Sequence, residues 1–263
     1  MQPGRDRATP DSMAFFDRIA ACNVHDLSRY RRFRVDGATV GWVRPDLIRR
    51  LAEFPAVFVA AAEELCLAPG LDGVEARTEA VADIVARLAE SGELPALRGE
   101  RFSVKSAWQA PALFAIDRGV ATRFGILSFG LHVNGHVGGD GGMEMWIARR
   151  ACDRLVAPGE LDHIVAGGQP HGLTLAENLV KECAEEADIP ADLARTAQPT
   201  GAITYTMEAR GGLKRDVIFT YDLPVPADFV PRNTDGEVES FFRLPIDEVA
   251  ARVRDTDDFK FNV

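Results

Sequence analysis

The chain has little cysteine, little positive charge and no long apolar run, and each shortage excludes a class of protein. Its four cysteines are Cys22, Cys66, Cys152 and Cys183, which lie too far apart for a zinc or redox motif. We therefore expect free thiols in a reducing environment and predict a cytoplasmic location. The polar N-terminus has no apolar region of signal-peptide type, and we expect neither a signal peptide nor a membrane span.

The shortage of positive charge excludes another class. The formal net charge is −10, which argues against a protein that binds nucleic acid or an anionic membrane surface non-specifically. An anionic small molecule stays compatible with this charge, because a bound cation inverts the local field.

The length and the apolar content allow substantial folded structure. A chain of 263 residues, 46% of them hydrophobic, accommodates one large domain or two modest ones. Strands and helices in mixed connections predict an α/β/α sandwich with a mixed sheet in the C-terminal part. We predict a disordered tail at residues 1–14, a smaller α+β domain at 15–122 and the α/β/α domain at 123–263.

The most informative segment begins with a strand and a glycine pair. Residues 161–166 have the composition of a strand, and Gly167-Gly168 follows directly. Thr174 and Glu177 then form a capping box, which predicts that a helix begins after Thr174. Apolar residues recur at helical spacing until Pro190, which is a stop signal.

Three glutamates, Glu182, Glu185 and Glu186, share one face of that helix. Like charges four residues apart destabilise a helix by a few tenths of a kcal/mol per pair. A solvated acidic face is the ordinary explanation for such a run. A strand, a glycine-rich turn and an acidic helix in succession favour instead a site for a hard divalent cation. Few oxygen ligands, with substrate phosphates completing the shell, are typical of magnesium.

The segment 166–189 resembles the Nudix box, a glycine-led loop followed by a helix with the motif R-E-U-x-E-E, where U is aliphatic. Gly168 matches the leading glycine, and Glu182, Glu185 and Glu186 match the three metal-binding glutamates. The chain departs from this pattern at Leu173 in place of the first glutamate, Lys181 in place of the arginine, Cys183 in place of the aliphatic residue and Asp188 in place of the late glycine.

These departures, together with Gln169-Pro170 and Asn178, resemble one subgroup of Nudix hydrolases. The subgroup is related to the domain fused to some fungal thiamine pyrophosphokinases, and its members carry an N-terminal domain of unknown function. The resemblance covers the chain from about Phe16 and implies that the α/β/α sandwich is of the Nudix type. Subgroup members continue past the position of Val263, and we expect the native C-terminus to do the same.

The resemblance implies metal-dependent attack of water on a diphosphate linkage. Mg²⁺ or Mn²⁺ would be held by Glu182, Glu185, Glu186 and the carbonyl oxygen of Gly168. The identity of the general base is undecided: it is either Glu186 or a carboxylate of the segment 235–239, Glu237 or Glu239.

Four further side chains are candidates for substrate binding. Arg149 and Arg150 end the strand that leads to the box, and guanidinium groups suit phosphate. Neighbouring side chains of a strand point to opposite faces, so we expect only one of the two to bind. His163 and His171 flank the glycine turn, although a loop histidine is more often merely exposed.

Three functions compete. The subgroup resemblance implies hydrolysis of thiamine diphosphate or its oxidised or damaged analogues. The second function is a pyrophosphatase for a nucleoside diphosphate derivative, such as ADP-ribose, a nucleotide sugar or an oxidised nucleotide. The third is a non-catalytic sensor, which the intact glutamate triad argues against. We expect a small phosphorylated metabolite as partner, without nucleic acid or membrane, and a homodimer is an open alternative to a monomer.

Overall fold

A computed structural model describes residues 10–139 and 142–263 of the chain. The helices are α1 (Pro10–Ala21), α2 (Pro45–Leu51), α3 (Val74–Glu90), α4 (Ala121–Phe124), α5 (Leu175–Ala187), α6 (Ala191–Ala194) and α7 (Ile246–Asp255). The strands are β1 (Arg31–Val35), β2 (Ala38–Val43), β3 (Phe58–Ala60), β4 (Glu64–Leu67), β5 (Arg101–Val104), β6 (Phe114–Asp117), β7 (Leu127–Gly139), β8 (Gly142–Arg150), β9 (Leu161–His163), β10 (Val165–Gly168), β11 (Gln198–Ala209), β12 (Gly212–Pro224) and β13 (Val238–Pro245).

The strands of the C-terminal part form one mixed sheet, as predicted. Its main path runs β11-β12-β7-β8-β13, while β10 pairs with β7 and β9 pairs with β8. The neighbours β7 and β12 run parallel, and the other pairs of this sheet run antiparallel. The fold is therefore a mixed α/β fold, which confirms the predicted class.

The predicted strand at 161–166 is divided in two. Residues 161–163 pair with β8, whereas residues 165–168 pair with β7. Ile164, at the change of partner, is fully buried. A Cβ atom on Gly135 would lie 2.9 Å from Cγ2 of Ile164, so the glycine makes room for this side chain. The break directs β10 toward the position of α5.

The helix α5 begins and ends as its sequence dictates. The Thr174 side chain accepts from the N–H of Glu177, and the Glu177 carboxylate accepts from the N–H of Thr174, so the capping box is formed. Asp188 ends the helix in the left-handed conformation, with φ 54°, where the general pattern has glycine. Aspartate is one of the residues that tolerate this conformation, and its carboxylate accepts from Arg232.

The N-terminal part contributes two smaller sheets and its own core. One sheet has the order β2-β1-β4-β3, and β5 pairs with β6. Buried residues between Phe33 and Ile126 form one apolar cluster, while strands β7, β10 and β12 pack against α5 in another. The first helix begins at Pro10, earlier than the predicted end of the tail, and residues 1–9 lie outside the described part. The boundary at residue 122 stays a prediction.

None of the described helices has the length and apolar character needed to span a membrane.

Candidate functional site

The glycine pair of β10 lets two other parts of the chain approach its backbone. A Cβ atom on Gly167 would lie 2.2 Å from Cδ of Glu182, and one on Gly168 would lie 2.7 Å from Cζ of Phe102. Neither distance is compatible with a side chain larger than hydrogen. Gly167 therefore brings α5 and its glutamate against the strand, and Gly168 brings β5 of the N-terminal part against the same strand.

Two of the three box glutamates are buried between α5 and β10. Glu182 and Glu186 are 8% and 7% exposed, whereas the side chain of Glu185 is 46% exposed. The backbone N–H of Ala166 donates to Glu186 Oε2 at 2.7 Å. The Lys181 ammonium donates to Glu182 at 3.1 Å and to Glu185 at 2.7 Å. Lys181 therefore pairs with Glu182 and Glu185, whereas Glu186 is held by the backbone of β10.

Burial changes the protonation of the two inner carboxyl groups. It raises the pKa of Glu182 to about 7, although the Lys181 ammonium opposes the change. It raises the pKa of Glu186 to about 8 against the hydrogen bond from Ala166, and the charge of Glu182 adds to the effect. Two carboxylates desolvated side by side are costly unless a positive charge compensates them. This all-oxygen donor set fits a hard divalent cation.

The carbonyl of Gly168, the fourth predicted ligand, is oriented by a buried amide. Asn178 is fully buried, and its Nδ2 donates to Gly168 O at 2.9 Å. A carbonyl oxygen accepts a second interaction while it holds this one. Sequence reasoning noted Asn178 only as a subgroup marker and missed its structural role.

The loop between β10 and α5 is braced although its usual glutamate is missing. Leu173, at that position, is 38% exposed. Gln169 Nε2 instead donates to the carbonyl of Leu173 at 2.8 Å and so closes the loop. On its outer side, the N–H of His171 donates to Arg101 O at 2.7 Å, and the His171 ring shares a hydrogen bond of 2.8 Å with Ser103 Oγ. The predicted substrate ligand His171 thus contacts the N-terminal part.

The segment that carries the predicted base lies at the end of α5. Thr234 donates to the carbonyl of Glu185 through its N–H at 3.2 Å and its hydroxyl at 2.6 Å. The carboxylate of Glu237 is close enough to contribute to the raised pKa of Glu186. Arg154 holds Glu237 at 2.6 Å, whereas Glu239 is exposed and lies 3.6 Å from the Cys152 thiol.

The two predicted phosphate ligands are engaged with a neighbouring turn. Arg149 Nη1 donates to Gly159 O at 2.8 Å. Arg150 donates to the carbonyls of Val156 and Ala157, and to Asp162 at 2.9 Å. Arg150 is thus held by several acceptors, whereas Arg149 uses one of its five N–H donors in this contact. Phosphate binding by either stays a prediction.

His163 belongs to a buried polar cluster rather than to the glutamates. Its ring lies 4.2 Å from that of His132, centroid to centroid, and its Nδ1 lies 3.4 Å from Asp162 Oδ1. Ligand atoms of these three residues lie within 4.8 Å of one another, a spacing compatible with a metal. However, Arg150 and Lys260 already neutralise the Asp162 carboxylate, at 2.9 and 2.8 Å. We therefore interpret the cluster as a structural ion-pair network.

Comparisons with known proteins show the family of the chain. A sequence model for a family described as "Domain of unknown function (DUF4743)" matches residues 14–128. The chain is 40% identical to Nudix hydrolase 20, chloroplastic, of Arabidopsis thaliana, over 96% of this chain and 70% of that one. It is equally similar to Nudix hydrolase 24, chloroplastic, of the same plant, over 95% and 70%. Among solved structures, Ap4A hydrolase of C. elegans aligns with a TM-score of 0.37 and 16% identity, over 49% of this chain and 88% of that one.

Identity at this level over nearly the whole chain defines the protein as a hydrolase of phosphoanhydrides. It belongs to the Nudix hydrolase family. Members of this family generally use divalent metal ions. The predicted cytoplasmic location is wrong by the same comparison, since both relatives are named chloroplastic. Cysteine usage reports on redox conditions and does not distinguish one compartment from another.

Replacing Gly167 by alanine tests the close approach of α5 to β10. The new Cβ would displace Glu182, and we expect the affinity for Mn²⁺, measured by titration calorimetry, to fall roughly 10–100-fold. Gly138→Ala is the matched control, because a Cβ at this position of β7 meets no atom within 4 Å. Unchanged Mn²⁺ affinity in Gly167→Ala would contradict the assigned contact.

Burial of His132 predicts a specific contribution to the pH dependence of stability. Burial, reinforced by His163 and Lys260, holds the pKa of His132 well below its usual value of 6.5. Below pH 6.5 the unfolded chain binds a proton at this residue that the folded chain does not, so the contribution of His132 to stability falls as pH falls, by up to about 1.4 kcal/mol per pH unit. The raised pKa values of Glu182 and Glu186 act in the opposite direction over the same range. Urea unfolding of wild type and a histidine variant at pH 7.5, 6.5 and 5.5 therefore isolates the histidine as a difference in stability.

The difference in stability between His132→Asn and wild type should shift in favour of the variant as pH falls from 7.5 to 5.5. No such shift is expected for His25→Asn, which removes an exposed histidine. Asp162, the acidic neighbour of His132, has a pKa well below 3.8 and stays ionised over this range. A difference that is independent of pH in His132→Asn would show that His132 binds a proton equally in the folded and the unfolded chain.

Proposed function

We propose that the protein hydrolyses the diphosphate linkage of a small metabolite, using Mg²⁺ or Mn²⁺ bound by Glu182, Glu185, Glu186 and the carbonyl of Gly168. The observation that carries this proposal is the burial of two carboxylates against β10, Glu182 on Gly167 and Glu186 on the N–H of Ala166, with Lys181 bonded to the first but not to the second. Buried carboxylates are costly unless they are paired or coordinate a metal.

A divalent cation in this place would neutralise the phosphate oxygens and lower the pKa of a bound water. The chain's own groups orient its ligands. The Ala166 N–H holds one oxygen of Glu186, and the Asn178 amide holds the carbonyl of Gly168. Lys181 holds Glu182 and Glu185 near each other by pairing with both. These contacts fix the donor atoms before a substrate binds, which lowers the cost of reaching the reactive geometry.

Glu237 is the general base that the contacts support best among Glu186, Glu237 and Glu239. Glu186 is needed as a ligand, and its carboxylate already accepts from Ala166. Glu237 lies near enough to Glu186 for their charges to interact, and Arg154 orients its carboxylate. Glu239 is exposed, and its contact with the Cys152 thiol at 3.6 Å does not orient it in this way.

The identity of the substrate is a finer proposal. The subgroup resemblance, carried by Gln169, Asn178, Lys181 and Cys183, supports thiamine diphosphate or a damaged analogue. A nucleoside diphosphate derivative is the alternative, since family membership alone does not distinguish the two. A homodimer stays a prediction.

A substrate panel with two glutamate variants tests the proposal. With Mg²⁺ or Mn²⁺ present, the panel contains thiamine diphosphate, oxothiamine diphosphate, ADP-ribose, nucleotide sugars and 8-oxo-dGTP, and monophosphate release is measured. We expect turnover of at least one member. Glu185→Gln and Glu186→Gln should lower kcat/KM by about 100-fold or more, because a ligand to the cation loses its charge.

Glu90→Gln is the matched control, since Glu90 is an exposed carboxylate of another helix, α3. Turnover that survives chelation of the metal, or that is unchanged in both box variants, would refute the metal assignment. No turnover of any panel member would refute the proposed substrate classes.

The assignment of the base predicts a contrast between two neighbouring glutamates. Glu237→Gln should lower kcat by roughly 10²–10⁴-fold with little change in KM, and it should remove the acidic limb of the pH profile of kcat. Glu239→Gln should stay within a few-fold of wild type. A large loss of kcat in Glu239→Gln with little change in Glu237→Gln would show that Glu239 is the general base. A small effect in both variants would assign the general base to Glu186.

A further inference from the structure

The N-terminal part of the chain brings a carboxylate to the loop between β10 and α5. Phe102 of β5 forms an antiparallel bridge with Pro170 of this loop. The N–H of the next loop residue, His171, donates to Arg101 O at 2.7 Å. The residue that precedes Arg101 is Glu100, so these backbone contacts fix the position of Glu100 beside the loop.

The side chain of Glu100 points to the same side of β5 as that of Phe102. The N–H of Arg118 donates to Glu100 O at 2.9 Å, which extends the antiparallel pairing of β5 and β6 by one residue. In such an extended segment, side chains two residues apart point to the same side. Because the ring of Phe102 packs on Gly168, Glu100 also points toward β10.

One arginine holds the Glu100 carboxylate beside the glycine pair. Arg118 Nη1 donates to Glu100 Oε2 at 2.8 Å, and the two side chains are 36% and 25% exposed. Arg118 belongs to the wall of a cavity that Gly167 and Gly168 also line. A carboxylate has about four acceptor positions, so the bond to Arg118 leaves Glu100 able to bind a further partner.

Glu100 is near enough to Glu182 for their charges to interact. Burial is the main cause of the raised pKa of Glu182, and the negative charges of Glu185 and Glu100 add to it. Carboxylates held near one another repel, and a cation between them removes the repulsion. Glu100 therefore belongs to the same group of carboxylates as the box glutamates, although it lies far from them in the sequence.

We propose that Glu100 is a further ligand, directly or through a bound water, of the divalent cation at Glu182, Glu185 and Glu186. Mg²⁺ prefers oxygen ligands and usually keeps several waters, so a carboxylate at the edge of its site reaches it in either way. The box has Leu173 in place of its first glutamate, and the N-terminal part supplies a carboxylate from outside the box. The inference rests on the proposed function, because it requires a cation at these glutamates.

The ion pair with Arg118 gives the inference a sharp test. If Glu100 serves only to pair with Arg118, loss of either partner should affect the site in the same way. If Glu100 is a ligand, the two losses should differ in sign. Glu100→Gln removes a ligand charge, whereas Arg118→Met removes a cation that competes for the carboxylate.

Titration of the full chain with Mn²⁺, without substrate, measures this contrast by EPR and calorimetry. Glu100→Gln should weaken Mn²⁺ binding by about tenfold, whereas Arg118→Met should leave it unchanged or strengthen it. Glu63→Gln is the matched control, since Glu63 is an exposed carboxylate of the N-terminal part that also pairs with an arginine, Arg31. This variant should bind Mn²⁺ like wild type.

Thermal unfolding checks that each variant is folded. If Glu100→Gln is not, Glu100→Asp decides, because it keeps the negative charge and withdraws the carboxylate by one methylene group. It should also weaken Mn²⁺ binding. Equal losses of affinity in Glu100→Gln and Arg118→Met would show that the ion pair is structural, and unchanged affinity in Glu100→Gln would show that Glu100 is not a ligand.

Glu186→Gln separates this inference from the proposed function. If Mn²⁺ affinity falls in Glu186→Gln and also in Glu100→Gln, both proposals are supported. If it falls in Glu186→Gln while Glu100→Gln binds like wild type, the inference is wrong and the proposed metal site stands. Unchanged affinity in Glu186→Gln would refute the metal site itself, and the role of Glu100 with it.

Discussion

The packing of the Glu182 carboxylate against the backbone of Gly167 is the contact on which the site depends. Because residue 167 has no side chain, α5 lies close enough to β10 for Glu182 and Glu186 to be buried between them. The same approach places the Ala166 N–H on Glu186. Burial then raises the pKa of both carboxyl groups, a cost that a bound cation would offset. The absence of a side chain at Gly167 therefore sets the distance between α5 and the sheet, and through that distance the raised pKa values of the two glutamates.

The N-terminal part of the chain helps to hold that geometry. Phe102 lies against Gly168, and the backbone and side chain of His171 bond to Arg101 and Ser103. Inside the loop, Gln169 bonds to the carbonyl of Leu173, at the position where a glutamate is usual. Several neutral contacts therefore stabilise this loop in place of the usual charged side chain, and some of these contacts come from β5.

The two faces of β10 have different chemistry. The face toward α5 carries the glutamates, whereas the opposite face borders a cavity that contains Arg118, Lys214 and Lys260 but one carboxylate, Asp216. The predicted metal ligands and these cations therefore lie on opposite sides of one strand.

Local signals in the sequence determined α5 and its glutamates. The capping box, the apolar spacing and the stop at Pro190 act within one or two turns, and the helix runs from Leu175 to Ala187 as they dictate. The strands of the mixed sheet were likewise predicted from runs in which apolar and polar residues alternate. Contacts between distant residues were decided only by the tertiary structure, because they depend on the register of paired strands. That register divides the strand at Ile164, engages Arg150 with Asp162, and brings Lys214 and Lys260 to one cavity.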